Sequence, residues 1–146
     1  MNEFRLVYPM FALVALTATV LVILFRSRVR AVKEGQVTSA YFRIYQDGRE
    51  PEYAAKASRH FSNLFEAPTL FYAAGLTAMI THDASTWLLV LAWLYVVARA
   101  IHAYVHVGKN RLRHRIPVYF SGWLVLVAMW LQIVVHTATA LKVDLF

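Results

Sequence analysis

Several features of other protein classes are missing from this sequence. It has no cysteine, which excludes disulfide bridges, thiolate metal sites and cysteine nucleophiles. Acidic residues are scarce, 8 against 15 Lys and Arg, which leaves a formal charge of +7. Such a charge often indicates nucleic acid, but here the basic residues flank long apolar runs instead of lying on an aromatic-studded polar face. We therefore expect them at a membrane surface, with membrane lipids and not nucleic acid as partners.

Long apolar runs are the main feature that is present. The chain has 146 residues, 60% of them hydrophobic, and its length predicts a single domain, residues 1–146. A helix needs about 20 residues to cross the hydrocarbon core of a bilayer, and four windows meet this requirement: 6–25, 61–80, 87–105 and 116–141. None shows the alternation of a barrel strand. The sequence therefore predicts an all-α integral membrane four-helix bundle. The first window could be a signal peptide, but it is followed by "RSRVR" and not by a small-residue cleavage site. We therefore interpret it as a membrane span that the protein retains.

The ends of the helices carry their own signals. Pro51 followed by Glu52 predicts that the second helix starts ahead of the membrane. "THDAST" predicts a tight turn in which Asp83 or Ser85 caps the third helix. The remaining signals predict a turn at "QDGREP", a kink at Pro68, the end of the third helix at Gly108 and the first turn of the fourth at Pro117.

Lysine and arginine are concentrated in two of the three connections. The first connection contains Arg26, Arg28, Arg30, Lys33, Arg43, Arg49 and Lys56, and the third contains Lys109, Arg111, Arg113 and Arg115. By the positive-inside rule, both connections are expected in the cytoplasm, and both termini on the opposite side. The start of helix two, the end of helix three and the start of helix four then meet at the cytoplasmic boundary.

Each of these three helix ends carries polar residues at helical spacing, which should share one face of their helix. They are Arg59, Asn63 and Glu66 on helix two, Arg99, His102 and His106 on helix three, and Arg115 and Tyr119 on helix four. An isolated charge at the middle of a membrane helix costs about 2.5 to 3.5 kcal/mol, so Glu66 and Arg99 should face protein or water. One interpretation is that they pair and fix the register of the bundle. However, three arginines face one carboxylate, and an excess of guanidinium donors is typical of a site for an anionic ligand.

Other histidines and polar residues have simpler interpretations. His102 and His106 are spaced like the ligands of HExxH helices, but the intervening "AYV" supplies no glutamate and the chain has no cysteine. Hydrogen bonding is therefore favoured over metal ligation for this pair, and no metal site is predicted. Gln132 and His136 are expected to form hydrogen bonds between helices.

Two segments resemble a known family. "RHFSNLFE" has the pattern R-x-x-x-N-x-x-E at the start of helix two, and "ARAIHAYVHVGKNRLRHRIPVYF" has an R-x-x-H segment, a glycine-containing turn, and the arginine and tyrosine that open helix four. With the four-span layout, these segments resemble the MAPEG family, membrane-associated proteins in eicosanoid and glutathione metabolism. The resemblance covers nearly the whole chain.

The resemblance implies a homotrimer that binds glutathione, as co-substrate, between neighbouring subunits near the cytoplasmic side. By position it assigns Arg59, Asn63, Glu66, Arg99, His102 and His106 to glutathione binding. Arg115 would stabilise the thiolate, and Tyr119 would be a second hydrogen-bond donor. The implied activity is that of a glutathione transferase or peroxidase acting on lipophilic electrophiles that approach from the bilayer.

Three positions depart from the pattern of microsomal members. Thr38 stands where those members have a basic residue, and Ser62 where many have an arginine. His106 stands where a tyrosine is usual. In this the chain resembles bacterial branches, which implies a multi-pass protein of a bacterial inner membrane. A second hypothesis therefore stays open, a non-catalytic assembly protein whose basic segments "RSRVR" and "KNRLRHR" bind anionic lipid. A transporter is disfavoured, because the sequence has four spans and no repeat.

Overall fold

The computed structural model describes residues 3–45, 48–83, 85–108 and 110–143. These residues form helices joined by turns, with no strand among them. After a 3-10 turn at Glu3–Leu6 come α1 (Val7–Lys33), α2 (Tyr41–Ile44), α3 (Glu52–Asn63), α4 (Ala67–Ile80), α5 (Thr86–Val107) and α6 (Leu112–Val143). The prediction of an all-α fold is confirmed.

Within the described ranges, three segments are long and apolar enough to cross a membrane: Phe4–Lys33, Thr86–Val107 and Leu112–Ala140. They correspond to the first, third and fourth predicted spans, and the chain is an integral membrane protein. The second predicted span is interrupted, and its apolar part is the 14-residue α4. At 1.5 Å per residue, a helix of this length extends about 21 Å, less than the hydrocarbon core of about 30 Å. Four spanning helices therefore stay a prediction.

The interruption of the second helix is sharper than the predicted kink at Pro68. α3 ends at Asn63, and the chain turns before α4 begins. Pro68 has no backbone N–H for the carbonyl of Leu64, and in a continuous helix its ring would clash with that carbonyl. Glu66 lies in the turn, at the N-cap of α4. The prediction that Glu66 shares one helical face with Arg59 is therefore wrong.

Most of the predicted helix boundaries are confirmed. Pro51 is the N-cap residue of α3, and Gly108 follows the last residue of α5. Of the two candidate caps of α5, Ser85 has this role, because its side chain accepts a hydrogen bond from the backbone N–H of Leu88 at 3.2 Å. This bond satisfies one of the N–H groups that every helix start leaves without an intrahelical acceptor.

The predicted position of Pro117 is wrong. α6 begins at Leu112, so Pro117 lies inside the helix, beyond its first turn. The earlier start is supported by the backbone carbonyl of Arg111, which accepts from the N–H groups of His114 and Arg115, each at 3.0 Å. Three further predictions fall partly outside the described residues. They are the turn at "QDGREP", which contains Gln46 and Asp47, the turn at "THDAST", which contains Ala84, and the third connection, which contains Lys109.

The packing of the bundle is centred on α5. This helix packs along α6 and also contacts α1 and α3. In the core, the ring of Tyr95 from α5 stacks on Phe71 from α4, with 4.7 Å between ring centroids. Large apolar side chains on the outward faces of α1 and α6 stay exposed, for example Phe11 and Leu124. Such faces are typical of helices that contact lipid or other helices in a membrane.

Polar contacts tie α3 to the end of α1. The carboxylate of Glu34 accepts hydrogen bonds from Nε of Arg30 at 2.6 Å and from the hydroxyl of Tyr53 at 3.0 Å. These two donors hold the pKa of the Glu34 carboxyl below its usual range. Nearby, Arg28 of α1 donates to the hydroxyl of Ser58 in α3 at 3.3 Å. α3 is thereby fixed alongside α1, at the end of the bundle that carries the basic connections.

Candidate functional site

The predicted polar residues lie where α3, α5 and α6 come together. α5 and α6 are joined by a connection of only a few residues and pack along each other, so they run antiparallel. The last turn of α5 therefore lies beside the first turns of α6, and α3 packs against α5 at the same end. Tyr41 from the first connection and Asn110 from the third line one cavity. Both basic connections are thus at this end of the molecule.

Arg99 is the most deeply buried of the predicted site residues, with 1% of its surface exposed. Its Nη2 donates to Oδ1 of Asn63 at 2.6 Å and to the Asn63 backbone carbonyl at 3.4 Å. Nδ2 of Asn63 donates in turn to Oε2 of Glu66 at 3.0 Å. Because a guanidinium only donates and a carboxylate only accepts, the Asn63 amide can join both in a single orientation. Arg99 and Glu66 are therefore connected through Asn63 and not by a direct ion pair.

The ion pairs of the described residues lie outside this group. They join Arg28 to Glu50, Arg30 to Glu34 and Lys56 to Glu52. Within the described part of the chain, Arg59, Arg99 and Arg115 form none. Among the described residues, the excess of cations that the sequence indicates is therefore not neutralised by ion pairs.

Arg115 lies in the first turn of α6 beside a small cavity. Its Nη1 donates to Oδ1 of Asn110 at 2.8 Å and lies 3.5 Å from Nε2 of His106. The cavity has a volume of about 200 Å³ and is lined by Asn63, His102, His106, Arg115, Ile116, Tyr119 and Phe120. All of these except Ile116 and Phe120 are predicted site residues. Residues from α3, α5 and α6, far apart in the sequence, thus meet at one cavity.

The other three predicted site residues, Arg59, Glu66 and Arg99, do not line this cavity. Arg59 is exposed and lines a larger groove of about 810 Å³, which also includes Arg49 and Lys56. Glu66 is exposed at the break between α3 and α4, and Arg99 is buried and bonded to Asn63. A single chain therefore assembles part of the predicted site.

Two residues of this region were not predicted. Asn110, the partner of Arg115, has a φ of 49°, a left-handed conformation that Asn adopts more readily than most residues. His60 is fully buried on α3, and its ring centroid is 5.4 Å from that of His102 and 5.0 Å from that of His106. Periodicity could have identified His60, because it lies three residues after Ala57 on the buried face of α3.

Gln132 and His136 form hydrogen bonds at the other end of the bundle, but to a turn and not, as predicted, to another helix. Nε2 of Gln132 donates to Oδ2 of Asp83 at 3.5 Å, and Nε2 of His136 lies 3.2 Å from the carbonyl oxygen of Thr81. These contacts join α6 to the turn between α4 and α5. Their role is structural, since the turn is at the opposite end from the cavity.

Comparison with known proteins agrees with the resemblance seen in the sequence. The model of the MAPEG family matches residues 6–135. This range includes every predicted site residue and every residue that lines the cavity beside Arg115. No curated protein and no solved structure matches the chain significantly.

Proposed function

Because the chain belongs to the MAPEG family, membrane proteins of eicosanoid and glutathione metabolism, we propose that it is a glutathione transferase or peroxidase acting on lipophilic electrophiles. The cavity beside Arg115 is the observation that carries this proposal. It combines a positioned cation, polar groups suited to a peptide, and apolar side chains on the lipid side.

The location of Arg115 at the cavity supports its proposed role as thiolate stabiliser. A cation beside a thiol favours the charged form, and the thiolate is the nucleophile. The hydrogen bond to Asn110 at 2.8 Å holds the guanidinium at the cavity. Tyr119 lines the same cavity one helical turn further along α6, and we assign to its hydroxyl a second hydrogen bond to sulfur. The thiolate then attacks an electrophilic carbon, a carbon–sulfur bond forms, and the leaving group departs with its bonding electrons.

The polar wall of the cavity suits the peptide part of glutathione. Asn63, His102 and His106 line it and offer donors for carboxylate and carbonyl groups. We assign the exposed Glu66 to the ammonium group of glutathione. The exposed Arg59 is assigned to one of its carboxylates, because guanidinium binds carboxylate with two parallel hydrogen bonds.

The apolar wall suits a substrate that arrives from the bilayer. Ile116 and Phe120 line the cavity, and 50% and 60% of their surface is exposed. A lipophilic electrophile is concentrated in the membrane before it reaches the enzyme. An opening toward lipid therefore brings it to the thiolate without passage through water.

The proposal includes a homotrimer with glutathione between subunits, in a bacterial inner membrane with the site on the cytoplasmic side. Arg59 and Glu66 are exposed in the single chain although they are assigned to the ligand, and a neighbouring subunit would cover them. Native mass spectrometry of the detergent-solubilised protein is expected to give a complex of three chains. Single chains under all mild detergent conditions would contradict this part of the proposal.

The proposed activity is tested by binding and turnover in parallel. Glutathione should raise the unfolding temperature of the purified protein, because a ligand that binds only the native state stabilises it, by about 2.7 kcal/mol at 100 times Kd. Arg115→Ala should lower turnover with a chloronitroarene by about 100-fold or more, since it removes a group that stabilises developing charge. Arg113→Ala, an exposed position on the same helix, is the matched control. No thermal shift at millimolar glutathione would overturn the proposal.

A further inference from the structure

Three histidines from two helices meet in the interior next to the cavity. They are His60 of α3 and His102 and His106 of α5, and one ring nitrogen from each lies within 4.8 Å of the others. The centroids of the His102 and His106 rings are 5.6 Å apart, so the three rings form a compact group. Their relative exposures are 0%, 3% and 8%. The sequence offered only two of these side chains as a pair, and the fold adds the third.

The ring nitrogens of this group have few partners. Among the described residues, both nitrogens of His60, both of His102 and Nδ1 of His106 have no hydrogen-bond partner. The sixth nitrogen, Nε2 of His106, has only the 3.5 Å contact with Arg115. A buried polar group without a partner costs about 1 to 3 kcal/mol of folding stability. Three such imidazoles would therefore lower the stability of a small bundle considerably. Their proximity to one another favours a single shared partner.

We propose that His60, His102 and His106 bind one transition-metal ion of the class that prefers neutral imidazole, with Zn²⁺ as the representative. Three imidazoles with an open fourth position are a ligand set typical of zinc, with metal–nitrogen distances of about 2.0 to 2.1 Å. In a tetrahedral site with bonds of this length the nitrogens lie about 3.3 Å apart, so rotation of the histidine side chains must bring them up to about 1.5 Å closer than the 4.8 Å within which they lie. This inference does not depend on the proposed glutathione chemistry.

The surrounding charge specifies the fourth ligand. Arg99 and Arg115 lie close to the group, and two cations oppose a bare dication. An anionic fourth ligand such as hydroxide removes part of this repulsion. The cavity lined by His102 and His106 also contains Arg115, so removing this guanidinium lessens the repulsion that a bound cation meets.

Metal binding also excludes the contact between Arg115 and His106. In that contact Nε2 of His106 acts as an acceptor. If the metal binds Nε2, the lone pair is used, and if it binds Nδ1, then Nε2 carries the proton. Arg115 would then be held by Asn110 alone, at 2.8 Å. Removing the Arg115 side chain should therefore not weaken metal binding, although it removes a neighbour of the site.

The test uses the full chain in detergent, purified without a polyhistidine tag, treated with chelator and titrated with ZnCl₂. We expect about one zinc per chain, and X-ray absorption should detect three imidazoles at about 2.0 to 2.1 Å. His60→Ala should lower zinc affinity at least 100-fold, a loss of about 2.7 kcal/mol. His114→Ala, an exposed histidine on α6, and Arg115→Ala should bind as tightly as the natural sequence or more tightly.

The proposal is overturned if the natural chain binds no zinc after chelator treatment. It is also overturned if His60→Ala, still folded by circular dichroism, binds zinc unchanged. Where His60→Ala does not fold, the X-ray absorption spectrum of the natural chain decides, and fewer than three imidazoles contradict the site. Zinc binding without glutathione binding would support the metal site and refute the proposed function. The two proposals are therefore tested independently of each other.

Discussion

Among single residues, Asn63 gives the buried Arg99 its acceptor and at the same time orients Glu66. Asn63→Leu keeps the branched shape of the side chain but removes the acceptor at 2.6 Å from Arg99. The expected loss of stability is about 1.5 to 3 kcal/mol, the usual contribution of a hydrogen bond to a charged group. Thermal unfolding in detergent measures it.

The matched control for this change is the neighbouring Ser62. Its side chain is exposed, and its hydroxyl donates only to the backbone carbonyl of Ser58 within the same helix, at 3.3 Å. Ser62→Ala should therefore leave the unfolding temperature nearly unchanged. If the two variants unfold at the same temperature, Asn63 is not a structural partner of Arg99.

The sequence predicted which side chains would line the cavity better than it predicted their partners. Helical spacing and the cost of burying charge in a membrane are local properties, and they identified Asn63, His102 and Arg115 without any knowledge of the fold. Whether Arg99 would bond to Glu66 or to Asn63 depends on the break after α3. The spacing of Ala57 and His60 places His60 on the buried face of α3, but its proximity to His102 and His106 becomes evident only when α3 packs against α5.

At the scale of elements, the connection between α5 and α6 positions Arg115. A Cβ on Gly108 would lie 2.8 Å from the backbone carbonyl oxygen of Tyr104, which cannot move without disturbing the last turn of α5. Gly108→Ala should therefore destabilise the protein by about 1 to 3 kcal/mol, the usual cost of an added group in a packed place. Thermal unfolding is again the measurement.

Gly122 provides the control at this scale. It is buried in α6, yet a Cβ there would meet its nearest neighbours at 3.8 to 4.0 Å, which is ordinary contact. Gly122→Ala should be neutral or stabilising, because alanine is the better helix former. Equal destabilisation by both variants would refute the role assigned to the Gly108 connection.

Helix existence was easier to predict than helix continuity. Long apolar windows identified α1, α5 and α6, the helix start at Pro51 and Glu52 was correct, and of the two candidate caps of α5, Asp83 and Ser85, the structure selects Ser85. Pro68 was recognised, but a proline can kink a helix or end it, and the choice depends on tertiary packing. Here α3 and α4 separate, which moves Glu66 off the face of Arg59.

For the whole molecule, the distribution of burial separates inner from outer helices. The apolar windows of α1 and α6 are each 22% buried, whereas that of α5 is 44% buried. Of these three helices α5 is therefore the central one, and the outer two leave most of their apolar surface exposed, as is typical of helices that contact lipid or other helices in a membrane. Because a single sequence carries no direct information on contacts between chains, the trimer stays a proposal, supported by the family and by the exposed Arg59 and Glu66.

The central claim is that the cavity beside Arg115 binds glutathione as a thiolate. The most direct test is the ultraviolet difference absorbance of the thiolate, recorded at neutral pH as glutathione is titrated into the detergent-solubilised protein. The natural chain and Arg113→Ala should both develop the thiolate signal, and Arg115→Ala should not. The reason is that Arg115 lines the cavity and Arg113 is not among its lining residues. An equal signal from Arg115→Ala, or none from the natural chain, would contradict the account.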